Sequence, residues 1–400
     1  KDSEKLIKFK QALKKGKEGV PDNLEAWLES FGVDFKKLSL NFIQSHFLKN
    51  SQYMIGNEEN IEVIGEYIGL FLRNRRSFYH VPIIGITGSG KSLFLSAIQH
   101  FIVQSGENIK FFSFESSKFD IDDDEKLLYK NDEVKSEKLD VVFIDSCEKD
   151  KNIFDSLTML FGKLGNAVYI TTWTPESFNY WSQSIEYSFP FSKKIILTPF
   201  DNYDFRLKFR YDIGLFEDFS DFIWNIEEVI SLKNGKNKEE FRHILGDKGY
   251  DIRRIIFKYS KGVPSTSIKL FIASIRETFL KRREKIEGKT INDAAKRIGI
   301  SSIVEKLDEL SPPQLRLLET ILLLSSEESI NPTKLAKRLK LDTSTVSYNL
   351  NILREQQILD SKQTGRKVSY NIKENLIPFV QMKILVDFDY LKLKDKEKMR

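Results

Sequence analysis

The sequence predicts an α/β fold: a parallel β-sheet covered by helices on both faces, then a helical region and a small C-terminal domain. Three observations lead to this prediction. A glycine-rich segment stands between a strand-like run and a helix-like run at residues 83–92. Apolar, β-rich runs then alternate with helical segments, as they do in parallel sheets. Residues 306–400 carry a pattern of three helices and a hairpin.

The glycine-rich segment reads IIGITGSGKS. Its spacing matches G-x-x-x-x-G-K-[ST], a phosphate-binding loop whose backbone N–H groups face a polyphosphate and whose lysine neutralises it. The order strand, loop, helix puts a helix N-terminus, with its partial positive charge, at the phosphates. A solvated glycine-rich turn is the alternative. The residues predicted to bind a nucleotide here are Gly85, Gly88, Ser89, Gly90, Lys91 and Ser92.

Length and composition limit the class of protein. A chain of 400 residues is too long for one core and suggests two or three domains. Apolar residues make up 40% and charged residues 30%, and no run approaches the roughly 18 apolar residues that span a bilayer. The first residues lack the apolar core of a signal peptide, so we expect a cytoplasmic protein without a membrane partner. One cysteine and four scattered histidines predict neither an internal disulfide nor a zinc site.

The charge is distributed unevenly. Residues 331–400 carry 15 Lys and Arg against 8 Asp and Glu, a net of +7, so that residues 1–330 sum to −2 within the total of +5. A basic excess confined to one end is expected when one domain faces a polyanion and the others do not.

The chain before and after the loop supplies the predicted sheet. Residues 1–50 read as a helical extension, and a helix with one apolar face follows from about Ile61 to Leu72. Strands are predicted at Ile109–Phe114, Val141–Asp145, Val168–Thr172 and Lys194–Leu197. The charged stretch 115–138 predicts an exposed loop, and residues after Pro199 turn helical.

Asp145 closes the apolar strand in DVVFIDS. A carboxylate at the end of a buried strand, downstream of a phosphate loop, is suited to hold Mg²⁺ through water, with the Ser92 hydroxyl as a second ligand. The predicted metal site is therefore Ser92 and Asp145 with Mg²⁺, and the predicted nucleotide is ATP or ADP.

The C-terminal pattern predicts a winged helix-turn-helix. Helices begin at Pro312 and Pro332, and a third follows Asp342, a residue suited to the N-cap. In the third helix the apolar residues face inward, which leaves a small, polar, hydrogen-bonding surface suited to a DNA major groove. That surface consists of Thr343, Ser344, Thr345, Ser347, Tyr348 and Asn351, and the hairpin tip adds Arg366 and Lys367. A winged helix that binds protein is the alternative.

An Ile-Gly-Asn-Glu-Glu turn, a helix and then the phosphate loop resemble the entry to the AAA+ ATPase module. The resemblance implies that Tyr53 and Ile55 contact the base and that Thr172 is the polar sensor near the γ-phosphate. These ATPases usually place a glutamate directly after the metal-binding aspartate; here Ser146 stands there and Glu148 is the nearest acid, so we expect slow hydrolysis at most.

The helical region also departs from the AAA+ pattern. Where the lid of that family carries a sensor arginine, this sequence has Ser265. Arg253 and Arg254, one helix earlier, are the candidate substitutes, and salt bridges are the alternative explanation for them.

The order of domains resembles archaeal origin-recognition initiators of the Orc/Cdc type. We expect an N-terminal helical extension (1–50), a AAA+ P-loop NTPase domain with a parallel sheet (51–200), a helical lid (201–305) and a C-terminal winged helix-turn-helix domain (306–400). The expected function is ATP-controlled binding of double-stranded DNA by a nucleoid-associated, initiator-like protein or a mobile-element relative. Other copies of the chain or a replication partner are expected partners. A STAND-type signalling ATPase and a nucleotide-dependent transcription regulator are the alternatives.

Overall fold

The computed structural model describes residues 23–30, 32–50, 53–121, 127–129, 132–133, 138–150, 153–185, 192–200, 213–231, 249–283, 285–302, 306–307, 309–324, 330–364 and 367–385. Predictions that fall on other residues, Arg366 among them, lie outside the described part of the chain.

A five-stranded parallel sheet forms the centre of the molecule. Its strands are β1 (Tyr79–Gly85), β2 (Phe111–Glu115), β6 (Val141–Asp145), β7 (Val168–Trp173) and β8 (Ile195–Leu197). A separate small sheet contains β3 (Phe119–Ile121), β4 (Leu127–Tyr129) and β5 (Asp132–Glu133). The strand order is β2-β6-β7-β1-β8, and every neighbouring pair is parallel. The predicted α/β class is confirmed, and each predicted strand is present.

Helices cover both faces of this sheet. They are α3 (Glu58–Arg73), α4 (Lys91–Gln104), α5 (Ile153–Leu164) and α6 (Pro175–Ile185), and two helices precede them in the chain, α1 (Leu24–Ser30) and α2 (Leu40–Leu48). Alternate strand residues point to opposite faces, so Phe143 and Ile170 join the core under α3 and α4, whereas Ile144 and Tyr169 join the core on the other side. Both faces are buried, which explains why the strands are continuous apolar runs.

The charged stretch 115–138, predicted as a loop, contains three short strands. They are β3 (Phe119–Ile121), β4 (Leu127–Tyr129) and β5 (Asp132–Glu133), and they pair antiparallel. The prediction weighed the net polarity of the stretch. It overlooked that Phe119 and Ile121 alternate with Asp120, as in a strand, and that Leu127–Tyr129 is an uninterrupted run of three uncharged residues.

A helical lid follows the sheet, with α7 (Ile213–Ile230), α8 (Gly249–Ser260), α9 (Pro264–Leu280) and α10 (Gly288–Arg297). The central helix α9 is buried along most of its length. The start of the chain packs onto this lid: the rings of Trp27 and Phe279 lie 5.5 Å apart, and Val33 forms a β-bridge with Ser231. The described residues of the predicted N-terminal helical extension therefore pack against the lid.

The C-terminal domain contains α11 (Pro312–Leu323), α12 (Pro332–Leu339), α13 (Thr343–Glu355), β9 (Leu359–Thr364), β10 (Lys367–Ile372) and a last helix, α14, over residues 377–385. The strands β9 and β10 form an antiparallel hairpin, and the Tyr370 N–H donates to the Ile330 carbonyl at 2.9 Å. Asp342 occupies the N-cap of α13, but its side chain makes no capping hydrogen bond.

Among the helices that the structure describes, none combines the length and the apolar character needed to cross a bilayer.

Candidate nucleotide site and C-terminal polar helix

The glycine-rich loop connects β1 to α4 and depends on its glycines for its shape. Gly88 and Gly90 have φ values of 81° and 98°, in the left-handed region that favours glycine. A Cβ on Gly88 would overlap the side chain of Ser265 at the start of α9, and the Ser265 N–H donates to the Gly88 carbonyl at 3.2 Å. The position that the AAA+ pattern gives to a sensor arginine is thus a serine packed on the loop tip.

Lys91 begins α4 and is only 9% exposed. Its ammonium donates to the carbonyls of Gly85 at 2.8 Å and Ile86 at 3.1 Å. Burial lowers the pKa of Lys91, while the nearby carboxylates of Glu148 and Asp145 oppose that shift. Lys91 is therefore a buried cation under the loop, as neutralisation of a polyphosphate requires.

Asp145 is the centre of a hydrogen-bonded cluster at the carboxyl ends of the strands. The Ser92 hydroxyl donates to Asp145 Oδ2 at 2.7 Å, and the Thr172 hydroxyl donates to Oδ1 at 2.6 Å. The Ser146 N–H in turn donates to Thr172 Oγ1 at 2.7 Å. The strand order explains the cluster, because β7 lies between β1 and β6 and carries Thr172 between the loop and the aspartate.

Glu148 lies in a short 3₁₀ turn directly after this cluster. Ser146 has a left-handed φ of 59°, and this turn follows it. Burial raises the pKa of Glu148, and the positive charge of Lys91 opposes the shift. Among the described residues, Glu148 Oε2 has no hydrogen-bond partner. The structure thus places an acid without a complete set of partners close to the lysine of the loop.

The side chains at the loop fit a nucleotide polyphosphate with Mg²⁺. Ser89 belongs to the loop, and its Oγ is buried and has no hydrogen-bond partner among the described residues. Ser92 and Asp145 offer adjacent oxygen ligands. The described residues contain no cluster of three or more His, Cys, Asp or Glu that could hold a metal alone. A site of this kind suits Mg²⁺, which usually keeps waters and takes further ligands from phosphate groups.

Two residues near the loop were not predicted from the sequence. Glu176, at the start of α6, is buried and its pKa is raised by that burial. Gln381, on α14, donates to Glu176 Oε1 at 2.8 Å and accepts from the Thr87 N–H at 2.6 Å. The only sequence signal for Glu176 is its place three residues after the end of β7. Gln381 carries no local signal.

Other predicted contacts have different surroundings. Tyr53 is buried in an aromatic cluster, with its ring 4.8 Å from Phe47 and 5.4 Å from His46, and Ile55 packs partly buried against the same core. Their predicted contact with the base stays a prediction. Arg253 pairs with Glu227 at 3.2 Å, so the salt-bridge explanation holds for this arginine.

Helix α13 presents the polar surface on which the DNA prediction rests. Val346, Leu350 and Leu353 are buried, whereas Tyr348 is 67% exposed. Also exposed are Thr343, Ser344, Thr345 and Asn351, and Ser347 is half-buried. At the hairpin tip, Lys367 is the first residue of β10. Its side chain and all of Arg366 lie outside the described part of the chain. The role of these residues in binding DNA stays a prediction.

Searches of protein-family models and of curated proteins found no match. Solved structures with a similar fold include Cdc6p from Pyrobaculum aerophilum, at 16% identity and a TM-score of 0.39, over 82% of this chain and 94% of that chain. The Aeropyrum pernix Orc1 protein in complex with DNA matches at 12% identity and a TM-score of 0.42, over 85% and 94%. The Thermotoga maritima RuvB Holliday junction branch migration motor matches at 15% identity and a TM-score of 0.37, over 82% and 95%.

The fold follows from the chain's own strands. A phosphate loop after the first strand of the sheet, and a fourth sheet strand inserted between the first and the third, are found together here. With helices α7 to α10 after the fifth sheet strand, this is the order of elements that the sequence predicts.

Proposed function

We propose that this chain binds ATP and Mg²⁺ at the glycine-rich loop and that the bound nucleotide controls binding of double-stranded DNA by the C-terminal domain. An initiator-like protein or a relative encoded by a mobile element fits this proposal. The observation that carries it is the contact of Asp145 with both Ser92 and Thr172, 2.7 and 2.6 Å long, which joins the loop to the strand ends.

The roles of the individual residues follow from their chemistry. The backbone N–H groups of the loop and the Lys91 ammonium would hold the phosphates, and Ser92 and Asp145 would hold Mg²⁺. The metal would neutralise charge on the phosphate oxygens. Thr172 keeps the Asp145 carboxylate oriented, since it donates to one oxygen while Ser92 donates to the other.

Glu148 is the candidate acceptor of a proton from an attacking water. Burial raises the pKa of Glu148, which makes its carboxylate a stronger base. Among the described residues its Oε2 has no hydrogen-bond partner, so this oxygen is open to accept one. It stands three residues beyond Asp145, however, where the AAA+ pattern has the acid adjacent. Because general-base positioning is worth roughly 10² to 10⁴ in rate, we propose slow hydrolysis at most.

The DNA-binding part of the proposal rests on α13. Side chains with directional hydrogen-bonding groups cover its exposed face, and these are the groups that read base edges in the major groove. Basic residues in the same domain supply attraction to phosphate that does not depend on sequence. Exposed examples are Lys337, Lys340, Arg354 and Lys362.

Fluorescence anisotropy of labelled duplexes, with and without ADP or ATP and at several salt concentrations, tests the proposal. We expect Asn351→Ala to reduce discrimination between preferred and random duplexes. Asn349→Ala is the matched control, because the Asn349 amide already donates to the Thr345 carbonyl of its own helix at 2.9 Å. Equal effects of the two changes would contradict base reading by this face.

Binding measurements and genomic mapping distinguish the proposed function from the two alternatives, a signalling ATPase and a nucleotide-dependent transcription regulator. A chain that shows no salt-dependent binding to any duplex would leave the signalling ATPase as the better explanation. DNA binding that is insensitive to nucleotide would contradict the proposed control. Mapping the bound genomic sites then separates an initiator from a transcription regulator.

A further inference from the structure

The first turn of the lid helix α9 lies against the tip of the glycine-rich loop. The Ser265 N–H donates to the Gly88 carbonyl at 3.2 Å. A Cβ on Gly88 would overlap Ser265 Oγ and lie 2.6 Å from Ser265 Cβ, which is closer than real Cβ atoms come to other atoms. Loop and lid are therefore joined at Gly88 by a hydrogen bond and by direct packing.

Helix α9 depends on this contact for one of its N-terminal donors. The first N–H groups of a helix have no partner within the helix, and a polar side chain at the N-cap usually accepts from one of them. At α9 the N-cap is Val263, whose side chain cannot accept a hydrogen bond, and Pro264 follows without an N–H. The Ser265 N–H is thus the first donor of the helix, and the loop carbonyl is its partner.

The turn before α9 is held on the sheet domain at a second point. The Phe200 N–H, three residues after the end of β8, donates to the Gly262 carbonyl at 3.2 Å. Strand β8 pairs in parallel with β1, the strand that leads into the loop. The start of α9 is therefore fixed both on the loop tip and beside the end of the neighbouring strand.

Gly88 is the loop residue on which this contact acts. Its φ of 81° lies in the left-handed region, where a residue with a Cβ is strained. Glycine has more backbone freedom than any other residue, so a loop with glycines at positions 85, 88 and 90 has several accessible conformations. Packing against Ser265 and the hydrogen bond to the Gly88 carbonyl favour one of them.

We propose that Ser265 is a positioning residue for the nucleotide site: by holding Gly88, the lid keeps the glycine-rich loop in the conformation that binds nucleotide. This proposal rests on nucleotide binding at the loop. Coupling between two sites is reciprocal, so bound nucleotide also holds the first turn of α9 against the loop. Because Ser265 carries no charge, the lid responds to the conformation of the loop rather than to the charge of the phosphates.

A double-mutant cycle on the full chain tests this role, with the affinity for a fluorescent ADP analogue as the readout. Gly88→Ala adds a Cβ that overlaps Ser265 and should lower the affinity. Ser265→Gly removes the side chain that this Cβ meets, so the loss caused by Gly88→Ala should be about 3- to 30-fold smaller in that background.

Gly90→Ala is the matched control for the cycle. Gly90 also has a left-handed φ, of 98°, but a Cβ there would meet no atom of the described residues within 4 Å. Gly90→Ala therefore introduces backbone strain in the same loop without touching the lid. Its effect on the affinity should be the same with and without Ser265→Gly.

Hydrogen exchange of the unchanged protein supplies a readout that does not depend on the folding of any variant. ADP should slow exchange in residues 265–268, at the start of α9. Residues 289–291, at the start of α10, are the control in the same lid, because the Glu287 N–H donates to Thr290 Oγ1 at 2.8 Å and that helix start needs no contact with the loop. Their exchange should not change.

The outcomes separate this role from the proposed function. Equal losses for Gly88→Ala in the two backgrounds, or unchanged exchange at 265–268 in a chain that binds ADP, would overturn the role of Ser265 and leave nucleotide binding intact. An unchanged protein that binds no ADP would overturn the proposed function and this role together.

Discussion

Replacing Thr172 by valine tests the cluster at Asp145 with little change of shape. The hydroxyl of Thr172 donates to Asp145 Oδ1 at 2.6 Å and accepts from the Ser146 N–H at 2.7 Å. Valine has the same branched outline but neither hydrogen-bonding function. Thr172→Ser is the matched control because it keeps the hydroxyl.

Both lost bonds have a cost in free energy. An unsatisfied buried donor, here the Ser146 N–H, costs about 1 to 3 kcal/mol, and a hydrogen bond to a charged group contributes about 1.5 to 3 kcal/mol. Asp145 is only partly buried, which reduces the second contribution. We expect Thr172→Val to lower the free energy of unfolding by about 2 to 4 kcal/mol.

Thr172→Val should lower the affinity for Mg²⁺ more than the affinity for the nucleotide itself. Loss of a residue that orients a metal ligand typically costs about 10- to 100-fold in metal affinity. Titration of ADP with and without Mg²⁺ should show this loss in the presence of the metal only, and urea unfolding followed by tryptophan fluorescence gives the stability. If Thr172→Val binds Mg²⁺ and ADP as tightly as Thr172→Ser does, Thr172 does not orient a metal ligand.

Four further predictions follow from the same sites. Lys91→Ala should abolish ADP binding in calorimetry and keep a cooperative urea transition at a lower midpoint, because the carbonyls of Gly85 and Ile86 lose their donor. Glu148→Gln should lower any residual release of phosphate and keep ADP binding; turnover above about one per second without a partner would contradict the slow hydrolysis. Tyr348→Ala should reduce the discrimination between preferred and random duplexes by about 1 to 3 kcal/mol, measured by competition, and should leave the affinity for random DNA unchanged. Burial raises the pKa of Glu176 above 4.5, so the folded state binds this proton more tightly than the unfolded state. The free energy of unfolding should therefore fall as pH rises from about 4.5 towards the raised pKa, and Glu176→Gln should reduce that slope.

Local patterns were sufficient to predict the sheet and part of the site. The strand Val141–Asp145 has the predicted bounds, because a run buried on both faces must be apolar throughout and then ends at the polar edge of the sheet. Thr172 was expected near the phosphates only from a family resemblance, and the structure places it against Asp145. Loop, strand end and helix start are short-range features, so the sequence alone indicates them.

Contacts between distant segments could not be predicted in this way. Gln381 reaches Thr87 across 294 residues, and no periodicity or motif marks a glutamine for such a contact. The short strands β3 to β5 were missed because the high charge of the stretch outweighed its brief apolar pieces. The packing of Trp27 on Phe279 likewise depends on where the lid lies after the whole chain has folded.

The packing of Trp27 on the lid means that the polypeptide passes between the lid and the sheet domain twice. The first passage runs from Val33, bridged to Ser231, through α2 to α3, and the Ser96 hydroxyl on α4 donates to the Leu48 carbonyl at the end of α2. The second passage runs from β8 to α7. Two parts connected at two points can rotate about the line that joins those points but resist twisting about other axes. Any opening of the lid is then restricted to one direction of swing. A single proteolytic cut between β8 and α7 would leave the lid helices held to the rest of the chain by non-covalent contacts, among them those of Trp27 and Val33.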